Sequence, residues 1–73
     1  MKNYKKARAL LRQATVLRPE FATAFFNLGV VNLNLKDKDA ALKQYAVLKT
    51  LDRIMANKLY AMIYKAKILQ ISN

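Results

Sequence analysis

Few side chains in this sequence are equipped for acid–base or nucleophilic chemistry. Histidine and cysteine are both absent, which removes the commonest general base, the commonest metal ligand, and any disulfide or thiolate site. Four carboxylates remain, Glu20, Asp37, Asp39 and Asp52, and the only serine is Ser72. Three of those acids stand beside expected helix boundaries, where capping a backbone N–H is reason enough for an acid. The sequence therefore predicts a non-enzyme, with no cofactor and no metal. What remains is recognition through charge and apolar surface. Fourteen Lys/Arg against four Asp/Glu give a formal net charge of +10 over 73 residues, a balance that favours acidic partners.

The elements that carry these residues are arranged around one uncharged stretch, Phe21 to Leu35 (FATAFFNLGVVNLNL). It is too short for a comfortable bilayer crossing, which needs about 20 residues, so it must be covered by protein. Read as a helix it is apolar nearly all round, as expected of a helix packed on more than one side. Phe21, Phe25, Leu28, Asn32 and Leu35 share one face, and Phe26, Val30 and Leu33 share another. Gly29, the only glycine, falls mid-helix, where it costs about 1 kcal/mol relative to Ala. A neighbouring helix too close for a side chain would explain it.

The flanking segments also follow helical spacing. Residues Asn3 to Arg18 set Ala7, Leu10, Leu11, Ala14 and Leu17 in one stripe, with Asn3 as N-cap and Pro19 as terminator. Glu20 is expected at the positive end of the next helix. Lys36-Asp37-Lys38-Asp39 makes a polar turn, with Asp37 or Asp39 capping a third helix that runs to about Leu51. Its stripe is Ala41, Leu42, Tyr45, Leu48 and Leu51. A fourth helix is expected from Ile54 or Met55 to Ile71, with Met55, Leu59, Met62, Ala66 and Leu69 on one side and Tyr60, Tyr64 and Lys67 on another. No strand pattern appears. The expectation is an all-α, four-helix domain with short connections and antiparallel neighbours. The basic N-terminus leads into an amphipathic pattern, not the continuous apolar run of a secretory signal. Absent cysteine fits a reducing, cytoplasmic setting.

An internal period of 34 residues relates Ala7 to Ala41, Leu17 to Leu51, Ala22 to Ala56, Leu35 to Leu69 and the cap Asn3 to Asp37. Phe25-x-x-Leu28-Gly29 resembles the opening of the first helix of a tetratricopeptide repeat. Ala41-x-x-x-Tyr45 resembles its second helix, and Ala7, Leu11, Ala14 and Pro19 resemble the end of a preceding repeat. The chain departs from that pattern at Asn32, Leu48 and Arg53, where an aromatic, an alanine and a proline are usual. The resemblance implies an α-solenoid fragment. Residues 3–18 would be the second helix of one repeat, 21–52 a full repeat and 54–71 a capping helix.

The resemblance also implies a groove that takes a peptide or helix. Thr23, Phe26, Asn27, Val30, Leu33 and Asn34 would line it, joined by Asn57, Tyr60, Tyr64 and Lys67 from the last helix. Coverage of Phe26, Val30 and Leu33 by that helix or by a second subunit is an equal alternative. Asn27 resembles an asparagine that orients peptide backbone, but the basic residues of a carboxylate clamp are missing. The first helix lacks its usual partner, so Ala7, Leu10, Leu11, Ala14 and Leu17 are candidates for self-association. No proline or glycine marks Asp52-Arg53, so a continuous helix and a domain-swapped homo-oligomer are open there. The alternative function is a small basic helical protein binding nucleic acid or another polyanion, through Lys2 to Arg18. No zinc-finger spacing or RNA-binding signature accompanies it.

Overall fold

The computed structural model describes the backbone of residues 3–72 and the side chains of residues 3–64. Among them the protein is all-α: α1 (Tyr4–Leu17), α2 (Ala22–Asn34), α3 (Lys38–Leu51) and α4 (Arg53–Ser72), with no strand. The period of 34 residues is visible in the element bounds, since Tyr4 to Lys38 and Leu17 to Leu51 are both steps of that size.

Three of the four starts are fixed by one device. Asn3 Oδ1 accepts from the Lys6 N–H at 3.0 Å, Asp37 Oδ1 from Ala40 at 3.1 Å and Asp52 Oδ1 from Met55 at 3.1 Å. Each satisfies a backbone donor that the helix itself leaves unpaired, a contact worth about 1 kcal/mol. Asp37 is thus the cap of α3, while Asp39 lies in its first turn, where its charge suits the dipole. Glu20 departs from expectation. It sits in the turn before Phe21, which is the N-cap of α2 and makes no side-chain capping bond.

The stops differ from one another. Pro19 follows Arg18, and the Phe21 N–H closes a turn onto the Arg18 carbonyl at 3.0 Å. α2 ends with Lys36 at φ 62. There the Lys36 N–H reaches the Leu33 carbonyl and the Asp37 N–H the Asn32 carbonyl, the paired bonds of a Schellman motif. A lysine in this left-handed conformation costs about 1–2 kcal/mol that glycine would not. α3 and α4 are separated by Asp52 alone, at φ −157 and ψ 100, so the continuous helix left open by the sequence is broken here.

α2 is the hub, with α1, α3 and α4 all packed against it. The contacts are compatible with antiparallel neighbours. Arg8, early in α1, pairs with Asp37 just beyond α2 at 3.5 Å. Tyr45 of α3 meets Tyr60 of α4, while the earlier Lys38 meets the later Tyr64. The core gathers Ala41, Leu48, Ala56, Leu59 and Ile63, with Phe25, Phe26, Leu33 and Tyr45 packed against it. The buried stripe of α4 is therefore Ala56, Leu59 and Ile63. Met55 packs against this core, whereas Met62, assigned to the same stripe by sequence, is 40% exposed, with Leu59 seated on α2. On α3 the stripe holds at Ala41 and Leu48, while Leu51 is exposed at the corner.

Gly29 has the close neighbour expected of it. A Cβ there would lie 2.6 Å from Leu59 Cδ2 and 2.9 Å from Cδ1. The intruder is a fully buried side chain with little room to withdraw, so Leu59 occupies the notch that the glycine leaves. Asn32, buried on the same helix, has its Oδ1 without a hydrogen-bond partner among the described residues. An unpaired buried acceptor costs about 1–3 kcal/mol.

Candidate binding surfaces

The outward side of α2 exposes Thr23, Asn27 and Asn34 and half-exposes Val30. Local structure puts them there: Ala24, Leu28, Gly29 and Asn32 take the buried sector, and a helix turns about 100° per residue. Phe26 and Leu33, expected in the groove, are half-buried and packed against the core that α3 and α4 build. They are coverage contacts of the kind weighed as the alternative. Asn34 donates its Nδ2–H to the Val30 carbonyl at 2.9 Å, so its amide is turned back onto its own helix. Asn27 keeps an exposed amide.

On α4 Leu59 faces Gly29, Met55 one turn earlier is half-buried and packed against the core, and Met62 one turn later is exposed. Tyr60 and Tyr64 lie about 100° and 140° round the helix from Leu59, and they belong to α3. Tyr45–Tyr60 and Tyr60–Tyr64 ring centroids are 5.2 and 4.7 Å apart. Lys38 Nζ stands 4.6 Å from the Tyr64 centroid, and Lys49 Nζ 5.3 Å from that of Tyr45. This ladder clips α4 to α3, and its end faces are occupied by the two ammonium groups. Asn57 is exposed on α4, and Lys67 lies outside the described side chains.

The structure thus puts Thr23, Asn27 and Val30 on one side of α2. Met55 keeps the place in the core stripe that the sequence predicts, whereas Met62 is exposed.

A second surface lies on α1, which buries no residue fully. Ala7, Leu11 and Ala14 of the candidate self-association stripe are half-covered by α2, whereas Leu10 and Leu17 are 58% and 80% exposed. Val16, outside that stripe, is 79% exposed. Lys5, Lys6, Arg8 and Arg12 complete the helix, which contains no acid.

Among the described residues no three acidic, histidine or cysteine side chains gather as a metal ion would require. No helix among them is long and apolar enough to cross a membrane. No protein-family model, curated protein or solved structure matches the chain.

Proposed function

We propose that this protein is a non-enzymatic interaction module of tetratricopeptide-like design, which holds a peptide or helix along the outward side of α2. The observation that carries this reading is the outward side of α2, where the exposed Thr23 and Asn27 stand with the half-buried Val30. It combines apolar area with an exposed amide able to pair with peptide backbone. The 34-residue step between α1 and α3, and the Gly29 notch filled by the next helix, support the repeat design. Lysines and arginines would raise association rates with acidic segments more than final affinity.

Titration of labelled protein with a panel of short acidic and neutral peptides, followed by backbone amide NMR, tests the reading. Shifts are expected to concentrate at Thr23, Asn27 and Val30. Val30→Ser is expected to weaken the bound peptide several-fold while leaving the spectrum folded. Phe26→Ala is a poor substitute, because Phe26 also packs on the core. Peptides that shift none of these amides would overturn the proposal.

A second reading, binding of nucleic acid or another polyanion, is favoured by the acid-free α1. It predicts shifts at Arg8 and Arg12 and steep salt dependence with oligonucleotides. Self-association through α1 has the apolar area in Leu10 and Leu17, but it opposes cations to cations. It should therefore appear only at high salt.

A further inference from the structure

We infer that the outward face of α1 docks an acidic amphipathic helix of a partner protein. The inference is independent of the outward side of α2. Leu10 and Leu17 form one row along the outward side of α1, seven residues apart. Val16 and Ala9 form a second row about 100° away, with Gln13 between them. Two parallel rows over about two turns offer the groove into which the ridge of another helix packs. Ala9, Arg12, Gln13, Val16 and Leu17 line a shallow concavity of about 450 Å³. A concave apolar floor suits a shaped side-chain ridge better than the flat plane of a bilayer.

Charge selects the occupant. Arg8 is paired with Asp37, but among the described residues no carboxylate pairs with Lys5, Lys6 or Arg12, which border the apolar rows. A second copy of this chain cannot supply the complement. Asp37 and Asp52 cap α3 and α4, Asp39 sits in the first turn of α3, and Glu20 stands alone in a turn. α1 against α1 would set one acid-free helix on another. A helix with leucine-like residues on one face and flanking glutamates meets both the rows and their cationic borders.

The test uses the full chain and a capped synthetic peptide about four turns long, with leucines at helical spacing and glutamates beside them. A scrambled peptide of the same composition is the control, and binding is read by fluorescence anisotropy at low and high salt. The amphipathic peptide is expected to bind at least about tenfold more tightly than the scrambled one, and to weaken as salt rises. Leu17→Gln and Val16→Gln are expected to lower its affinity about tenfold each with no change in the melting curve, because both side chains are exposed in the free protein. Arg12→Glu is expected to weaken it further at low salt. Val30→Ser, on the outward side of α2, is expected to leave it unchanged. Equal binding of the scrambled peptide, or affinity within twofold after Leu17→Gln, overturns the inference. So does retention of the chain by phosphatidylserine vesicles through Val16 and Leu17 without peptide binding, or a salt-promoted dimer that these variants abolish without peptide binding.

Discussion

The two flanks of α2 are built differently. Towards α4 the helices interlock: Leu59 fills the Gly29 notch, Ala56 and Ile63 bury beside it, and the tyrosine ladder ties α4 back to α3. Towards α1 nothing on the partner helix is fully buried, and an ion pair there, Arg8–Asp37 at 3.5 Å, is partly exposed. Such a pair contributes about 0–1 kcal/mol. Both flanks use small residues and leucines at helical spacing, so composition does not separate them. The difference is whether a third element closes over the seam. α3 and α4 share one core across α2, whereas α1 rests on α2 from one side. The open flank is therefore the one that opens first and the one with surface to offer a partner.

The largest effect should come from truncating matched leucines on the two flanks. Leu59→Ala is expected to cost about 2–5 kcal/mol, most of the stability of so small a domain. Leu11→Ala on α1 should cost about half as much, because its side chain is only partly covered. Urea melts followed by circular dichroism measure both, and equal losses would erase the contrast. Hydrogen exchange sharpens it, since α1 amides should exchange through a smaller opening than those of α4.

A smaller effect of opposite sign is expected in the buried sector of α2. Asn32→Leu removes the orphaned Oδ1 and should raise stability by about 1–2 kcal/mol. Loss of stability on melting would mean that the amide has a partner in solution. The smallest effect concerns the corner that delivers α4 to its flank. Arg53 is the first residue of α4, and Asp52 before it is already extended, the backbone that a following proline requires. Arg53→Pro should stabilise by about 0.4–1 kcal/mol and remove any dimer that arises by straightening α3 into α4. A dimer persisting in this variant on size-exclusion chromatography is not a swap.

Much of this architecture was legible in the chain itself. Helical spacing, Asn3, Asp37 and Asp52 at the starts, Pro19 as a stop and the lone mid-helix glycine are local signals, and each acts through backbone bonding or steric room within a few residues. The end of α2 was legible to within a residue from the polar turn at Lys36-Asp37, but its left-handed conformation was not, because a lysine stands where glycine would have announced it. Rotation about an axis is not a local property either. The α4 sequence offers apolar groups on nearly every side, so both Met55-Leu59-Met62 and Ala56-Leu59-Ile63 read as plausible stripes. Only the depth of the Gly29 notch and the position of Tyr45 choose between them. That choice sets Tyr60 against Tyr45 and Tyr64 against Lys38, both of α3. The sequence alone thus determined which segments are helical and where most of them start, because propensity, caps and breakers act within a turn. Tertiary packing decided which face of α4 is inside and which side of α1 stays open, because those depend on the shapes that other helices present.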